Sequence, residues 1–273
     1  MLFVCPKCKE KLNILDTGVA RCDNGHSFDR ARAGYYNLLL GNTGGVHGDN
    51  RDMVDARRSF LSAGYYEPLA RTISDLVLKH SAMAPFVVDA GCGEGYYTDF
   101  VERALMLRDG VSRVCAFDIS RDAVKLAHRR NANMSLAVAS SYDMPFADES
   151  VDLLFNVFSP LALAETQRVL KNNGVFIMAF PGAEHLYSLK RAIYNTPYKN
   201  KPESTKLSGF ELLDERHLTY DMSISGALNV QNLFMMTPYA YRTPKEAREK
   251  ILALENLVCE ADFHILVYQK RVK

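Results

Sequence analysis

Apolar and polar residues alternate in blocks along most of this chain, and two kinds of block take turns. Short apolar runs have the length and composition of buried β-strands. The stretches between them repeat apolar residues every three or four positions, as on one face of an α-helix. The predicted strands cover 86–90, 113–119, 134–140, 151–158 and 175–180.

The predicted helices cover 53–80 with a break near Gly64 and Pro68, then 97–107, 120–131 and 161–171. The segment "NNG" ends the last of these and turns the chain into the strand that follows it. Strands that alternate with helices form βαβ units and a parallel sheet. The pattern therefore predicts an α/β fold with a doubly wound, Rossmann-like sheet.

Beyond Pro181 the pattern is less regular. It predicts helices near 184–195, 226–236 and 244–257, and strands near 210–222 and 261–270. Two neighbouring strands at the end of the chain fit a hairpin-like, antiparallel edge of the sheet. At the other end, the glycine- and asparagine-rich segment 41–52 is interpreted as a linker or a mobile cover.

Composition narrows the class of protein. The chain has 273 residues, 48% of them hydrophobic and 24% charged, with a net charge of +1. This is enough for a normal core but supplies no bulk positive charge for binding nucleic acid or a membrane surface. We expect no transmembrane helix and no secretory signal. Cys92, Cys115 and Cys259 lie singly in apolar or glycine-rich segments, so a reducing cytoplasm is the predicted setting.

Two pairs of metal-ligand residues lie in the first 26 positions. Cys5 and Cys8 are separated by two residues, and Cys22 and His26 by three. Three thiolates and one imidazole satisfy the tetrahedral shell of a structural zinc ion, which leaves no open position for catalysis. This short segment has too few apolar residues for a core, so metal binding would stabilise its fold. Around the ligands, six basic residues exceed four acidic ones by two.

A glycine loop follows the first predicted strand. In "VVDAGCGEGYYT", Gly91, Gly93 and Gly95 allow a tight turn and the close approach of a ligand. Asp118 ends the next strand, where a carboxylate can bind the two hydroxyls of a ribose. Asp89 is expected to hydrogen-bond its own loop and to face the amine of the ligand.

These segments resemble the class I S-adenosylmethionine-dependent methyltransferases. The similarity lies in "DAGCGEG", the acid of "AFDIS", "ASSYDMPFADESVDLLF" and "QRVLKNNGVFIMAFPG". Many members of that class bind the adenine amino group with an aspartate where this chain has Ser140. Ser140, Ser141 or a backbone carbonyl would take that role here, and Asn156 would face the site.

A zinc ribbon ahead of such a domain, with "GHSFDRARAGYYNLLL", "GDNRDMVDARRSFLSAGYYEPL" and "FPGAEHLYSLKRAIY", resembles the bacterial RlmA/RrmA family of 23S rRNA (guanine-N1)-methyltransferases. This family includes a Gram-positive branch linked to resistance to the macrolide tylosin. The resemblance implies an enzyme that methylates N1 of a guanine in a hairpin of 23S rRNA. It implies cofactor contacts from Tyr66, Gly93, Glu94 and His185.

The implied organisation is a zinc ribbon for RNA recognition at 1–36, a linker and first helix at 37–60, and the methyltransferase domain at 61–273. The partner would be 23S rRNA, with no membrane, and a homodimer is left open. No catalytic base is assigned. Four aromatic residues are candidates for stacking on the target base or are core residues: Tyr96, Tyr97, Phe158 and Tyr194.

Two other functions compete with this one. "MPFADESVDLL" also occurs in methyltransferases that act on quinones and sterols, although a small substrate needs no appended zinc module. The chain could also be an inactive, zinc-containing RNA-binding protein, against which the intact glycine loop and Asp118 argue.

Overall fold

The computed structural model describes residues 2–41, 48–201 and 204–272. Its strands are β1 Asn13–Ile14, β2 Ala20–Arg21, β3 Ser27–Phe28, β4 Tyr36–Asn37, β5 Phe86–Ala90, β6 Arg113–Asp118, β7 Ser135–Val138, β8 Val151–Val157, β9 Leu170–Pro181, β10 Phe210–Ser225 and β11 Asn256–Lys270. Its helices are α1 Arg51–Ser62, α2 Glu67–His80, α3 Tyr96–Asp109, α4 Arg121–Arg130, α5 Leu163–Val169, α6 Tyr187–Ile193, α7 Ala227–Met235 and α8 Lys245–Leu252, with a 3₁₀ turn at Pro238–Tyr241.

Among the described residues, eight strands form one sheet in the order β10-β11-β9-β8-β5-β6-β7-β4. The strands from β9 to β4 are parallel, and β11 runs antiparallel to both β9 and β10. Apart from the short edge strand β4, the chain starts this sheet in the middle, at β5, and reverses its direction of growth between β7 and β8. The carboxyl ends of β5 and β8 therefore flank the position where ligands bind in such sheets.

The predicted α/β class and the antiparallel edge are confirmed. Ser120 caps the N-terminus of α4, since its side chain accepts a hydrogen bond from the Ala123 N–H group. The "NNG" turn lies within β9 as a bulge. Val151 pairs with Leu170 but Leu153 pairs with Val175, so the residues between them loop out.

Several predicted boundaries are wrong. The helix predicted at 161–171 ends at Val169, because Leu170 already pairs with β8. The helix predicted to reach 257 ends at Leu252, and β11 starts five residues earlier than predicted because it pairs along the whole of β10. Strand β4 was missed, since two residues carry no detectable period.

The ribbon strands β1, β2 and β3 form a separate antiparallel sheet that packs on the large one. No helix connects β7 to β8, and the sheet face left open there is covered by the ribbon and by the segment 139–150. Phe3 of the ribbon lies 5.4 Å from Phe146, ring centre to ring centre, and the Val4 N–H donates to the Pro145 carbonyl at 2.9 Å. The ribbon and the large sheet therefore share one core.

Strand β4 carries the chain from the ribbon to the edge of the large sheet, where it pairs with β7. The predicted boundary at 36/37 falls within β4, and the one at 60/61 within α1. Of the predicted linker or cover at 41–52, residues 42–47 lie outside the described residues. The carbonyl of Asp49 accepts a hydrogen bond from Ser120 at 3.0 Å, so the end of this segment lies beside the carboxyl end of β6.

Within the described ranges, no helix has the length and apolar character that crossing a bilayer requires.

Candidate active site and metal centre

The glycine loop lies between β5 and α3, at the carboxyl edge of the sheet. Gly91, Gly93 and Gly95 have φ values of +85°, +55° and +81°, a region that side chains with a Cβ rarely adopt. A Cβ on Gly91 would lie 2.1 Å from Ser159 Oγ, whereas one on Gly93 would meet nothing within 4 Å. The backbone at Gly93 therefore faces open space, as required for close approach of a ligand.

Asp118 ends β6 beside this loop. One carboxylate oxygen accepts from the Gly93 N–H at 2.9 Å, and the other accepts from the Ser120 N–H at 2.8 Å. Each oxygen keeps lone pairs for further donors such as ribose hydroxyls. Burial raises the pKa of Asp118, and the two N–H groups oppose that shift.

Asp89 is buried at the end of β5. Its carboxylate accepts a hydrogen bond of 2.5 Å from the hydroxyl of Thr98 on α3. Burial raises the pKa of Asp89 to about 7, with a contribution from the nearby negative charge of Asp118 and an opposing one from Thr98. Asp89 was expected to hydrogen-bond its own loop, but it accepts its hydrogen bond from Thr98 on the following helix, α3.

Glu94 was predicted among the cofactor contacts, and its side chain lies against α4. One of its oxygens accepts two hydrogen bonds from Arg130, at 2.9 and 2.7 Å. Its other oxygen is buried and has no partner among the described residues. The ion pair anchors the glycine loop to α4.

Ser140, Ser141 and Asn156 lie at the same edge in different surroundings. Ser140 follows β7, and its hydroxyl accepts from the Tyr142 N–H at 3.1 Å; Ser141 is half-buried beside it. Asn156 is buried near the end of β8. Its side chain accepts from the Ser159 N–H at 3.3 Å and donates to the Pro160 carbonyl at 3.4 Å, so it holds its own loop.

Tyr66 and His185 are far apart in the sequence and come together in the fold. The Tyr66 hydroxyl lies 3.1 Å from His185 Nε2, and both side chains are buried. The backbone N–H of Asp262 donates to His185 Nδ1 at 3.3 Å, so the ring carries its proton on Nε2 and donates it to Tyr66. Burial lowers the pKa of His185 to about 3, which keeps it neutral.

Three residues that sequence reasoning missed support this site. Thr98 holds Asp89, Ser159 packs on Gly91, and the ring of Phe263 lies 4.7 Å from that of His185. Thr98 could have been suspected from its place in the first turn after the loop. Ser159 and Phe263 meet the site only through the order of the strands.

The ribbon residues Cys5, Cys8, Cys22 and His26 converge, with their ligand atoms all within 4.8 Å of one another. The neighbouring ligand atoms are separated by 3.5 to 3.6 Å. The ligand atoms of tetrahedral zinc lie about 3.5–3.8 Å apart, given bonds of about 2.0–2.3 Å. The donor set therefore fits a closed zinc site.

The backbone turns tightly around these ligands. Lys9 and Gly25 have positive φ values of 63° and 82°, which allows a tight turn of the backbone at each pair of ligands. The backbone N–H of Glu10 lowers the pKa of the Cys8 thiol to about 6, which favours the thiolate that zinc requires.

A second group of ligand-type side chains, His217, Asp262 and His264, lies on β10 and β11. The two imidazole rings stack with centres 4.3 Å apart and planes 10° apart. In this arrangement their in-plane lone pairs run parallel and do not converge on one ion. His217 donates instead to Asp262 at 2.7 Å.

Comparison with known proteins matches each of the two parts of the chain to a family. Residues 3–41 match the family described as "RlmA, N-terminal", a zinc ribbon, and residues 88–178 match the family described as "Methyltransferase domain".

Two relatives extend over most of the chain. A Micromonospora griseorubida protein provisionally named as a 23S rRNA (guanine-N1)-methyltransferase is 36% identical over 68% of this chain and 67% of its own length. The 23S rRNA (guanine(748)-N(1))-methyltransferase of Streptomyces fradiae is 35% identical over 69% of this chain and 66% of its own. The methyltransferase in a complex with the Haloferax volcanii activator Trm112 shares the fold, with a TM-score of 0.53, 19% identity, and coverage of 83% of this chain and 100% of that one.

The fold, the glycine loop and these matches define a class I S-adenosylmethionine-dependent methyltransferase with an N-terminal zinc ribbon. The chain belongs to the RlmA/RrmA-type family of the two relatives. The open backbone at Gly93 and the free lone pairs of Asp118 fit the cofactor of this class. The individual cofactor contacts stay predictions.

Proposed function

We propose that this protein transfers a methyl group from S-adenosylmethionine to N1 of a guanine in a hairpin of 23S rRNA. The observation that carries the proposal is the zinc ribbon packed on the methyltransferase sheet, because both relatives are named for this reaction and a ribbon of this family is matched at residues 3–41. A ribosomal RNA substrate would place the reaction in the cytoplasm.

The cofactor would lie along the carboxyl ends of β5 and β6. Asp118 would accept the ribose hydroxyls, Gly93 would let the backbone approach, and Asp89 would face the amine. Tyr66 accepts its hydrogen bond from His185, so its own hydroxyl proton is free to point toward a bound group. When bound, the cofactor supplies an electrophilic methyl group on a positively charged sulfur.

The protein would contribute mainly by positioning, since such a displacement needs little covalent help. His185, neutral and already hydrogen-bonded on both nitrogens, would orient Tyr66 rather than remove a proton. Burial and its low pKa argue against a role as general base.

The ribbon would contact the RNA backbone through its exposed basic side chains, which are Lys7, Lys9, Lys11, Arg21, Arg30 and Arg32. Lys9 is already paired with Asp143, which leaves the other five to meet phosphates. These contacts would position the hairpin and carry little sequence information.

The decisive experiment is transfer of tritium from labelled S-adenosylmethionine to protein-free 23S rRNA, followed by mapping of the product through reverse-transcription stops. We expect label in 23S rRNA, none in 16S rRNA, and one stop at a guanine. The variant Asp118→Ala should bind the cofactor weakly and label little RNA.

Transfer only to a small acceptor such as a quinone would refute the proposal in favour of a small-molecule methyltransferase. Tight cofactor binding without any transfer would favour the inactive RNA-binding protein. The position of the stop would also show whether the target corresponds to guanine 748, for which the Streptomyces fradiae relative is named.

A further inference from the structure

Phe158 is an exposed aromatic residue in a strained backbone conformation at the end of β8. Its φ value is +56°, a region that bulky residues avoid. Its side chain is 42% exposed, whereas Tyr96 and Tyr97, the neighbouring aromatic candidates for base stacking, are buried. A strained residue of this kind persists only where its surroundings hold it, and such residues cluster at functional sites.

The surroundings of Phe158 hold it from both sides. Its N–H group donates to the Ala179 carbonyl on β9 at 3.0 Å. The buried side chain of Asn156 binds the N–H of Ser159 and the carbonyl of Pro160. The loop therefore keeps the ring in place without help from a packed core on its outer side.

The next residue connects this loop to the cofactor site. Ser159 packs against Gly91 so closely that a Cβ there would overlap it. The ring of Phe158 consequently lies beside the glycine loop, at the gap between the carboxyl ends of β5 and β8. In this kind of sheet that gap is the ligand position.

The inner side of Phe158 packs against a group of buried aromatic rings. Ring centres of Tyr66, Tyr97 and His185 each lie 6.3 Å from that of Phe158, and Phe263 lies 5.6 Å away. These rings pack against the inner face of Phe158 and leave its outer face exposed.

We propose that the exposed face of Phe158 is the surface on which the target nucleobase, a purine that has left its stack, binds by stacking. This inference rests on the proposed RNA substrate and names the part of the site that receives it. Stacking on an aromatic ring replaces the contacts that an extruded base loses.

The test compares Phe158→Leu, which keeps an apolar side chain but removes stacking, with Phe158→Tyr, which keeps the ring. Leu107→Ala is the matched surface control, because Leu107 is 91% exposed on α3. Phe158→Leu should lower kcat/KM for the RNA by about 10- to 100-fold, as expected for one base stack. Phe158→Tyr and Leu107→Ala should stay within about threefold of the wild type, on the same scale.

Two further readouts separate base binding from other roles. The cofactor Kd should change by less than about twofold in Phe158→Leu, because the ring is expected to contact the base and not the cofactor. A hairpin with 2-aminopurine at the mapped target position should fluoresce more brightly with Phe158→Leu than with the wild type, since stacking on the ring quenches the extruded base.

Wild-type kcat/KM in Phe158→Leu, or a loss explained entirely by a weaker cofactor Kd, would overturn the inference. Phe158→Gly, which relieves the positive φ, covers the case in which leucine disturbs folding. If the wild-type protein labels no RNA, the proposed function fails. If the wild type labels RNA and Phe158→Leu labels it with the same kcat/KM, only the assignment of Phe158 to the target base fails.

Discussion

Asp89 and His185 are both buried and titratable, and burial moves their pKa values in opposite directions. The carboxyl of Asp89 is shifted up to about 7 and the imidazole of His185 down to about 3. In each case the low-dielectric interior disfavours the charged form. One residue is therefore poised to change charge near neutral pH, and the other is locked as a neutral hydrogen-bonding group.

The shift at Asp89 predicts a pH dependence of cofactor binding. If the carboxylate binds the cofactor amine, affinity for S-adenosylmethionine should rise between pH 5.5 and about 7, by up to about tenfold per unit, and then level off. Isothermal titration calorimetry measures this directly. Asp89→Asn should bind more weakly and lose the pH dependence over this range.

The raised pKa of Asp89 has the opposite effect on the stability of the protein without cofactor, which falls as the pH rises. The native carboxyl keeps its proton up to about pH 7, whereas the unfolded one loses it near its ordinary value of 3.8. The native state thus binds more protons between these values, and this contribution to stability falls as pH rises. In the binding experiment, a cofactor affinity of Asp89→Asn that also rises between pH 5.5 and about 7 would assign the pH dependence of binding to another group.

Tyr66→Phe tests the orientation of the His185 proton. The substitution leaves the buried Nε2–H without its acceptor, which should lower the free energy of unfolding by about 1–3 kcal/mol. It should also weaken cofactor binding, by about tenfold for one lost hydrogen bond. Urea denaturation and calorimetry measure the two effects.

Tyr142→Phe is the control for Tyr66→Phe, since Tyr142 is 67% exposed. It should leave both quantities unchanged. Unaltered stability in Tyr66→Phe would mean that His185 donates its proton elsewhere.

At the scale of elements, the loop after β5 and the loop after β8 are fitted to each other. Gly91 leaves the space that Ser159 occupies, and Asn156 fixes the backbone of the loop after β8 at Ser159. The sequence predicts each strand and the glycine turn from local pattern. It does not predict their contact, because β8 reaches the side of β5 only through the order in which the sheet is built.

Gly91→Ala should therefore be more harmful than an alanine at another left-handed glycine. A Cβ at Gly91 overlaps Ser159, whereas Gly110, with φ +71°, has open space around it. We expect Gly110→Ala to cost about 1–2 kcal/mol from the backbone alone, and Gly91→Ala to cost more and to abolish cofactor binding.

Thermal unfolding and cofactor titration measure these variants. Adding Ser159→Gly to Gly91→Ala should recover part of the lost stability, because it removes the overlapping side chain. No recovery would mean that the backbone conformation alone makes the glycine necessary.

At the scale of the whole molecule, the ribbon is part of the core of the catalytic domain. Phe3 and Leu12 are fully buried, and they belong to the same apolar cluster as Phe86, Val88 and Phe117 of the large sheet. They cover the sheet face that has no helix between β7 and β8. This packing argues that the ribbon stabilises the methyltransferase domain as well as meeting RNA.

Metal removal should therefore destabilise the entire protein. Cys5→Ser combined with Cys8→Ser, or treatment with a strong chelator, should lower the Tm of a single transition by about 10 °C or more. The ribbon would lose the zinc that folds it, and each kcal/mol is worth about 2–4 °C in a domain of this size. Cofactor binding at 37 °C should fall with it.

Calorimetry with Lys7→Ala as the surface control checks this prediction. Two separate transitions, with the catalytic one unchanged after chelation, would show that the ribbon is an independent module.

Several features follow from the sequence alone. Alternating apolar blocks predict the parallel sheet, because buried parallel strands must be short and continuously apolar. The spacing of Cys5, Cys8, Cys22 and His26 predicts the zinc site, because tetrahedral coordination needs two close pairs on short turns. Local order is sufficient for both.

Tertiary structure alone decided the remaining features. Three contacts join segments that are far apart in the chain: Tyr66 pairs with His185, Ser159 packs against Gly91, and Phe3 is buried in the core of the large sheet. Such contacts depend on strand order and on which faces are left uncovered. No local period in the sequence carries that information, since it is set only when the sheet is assembled.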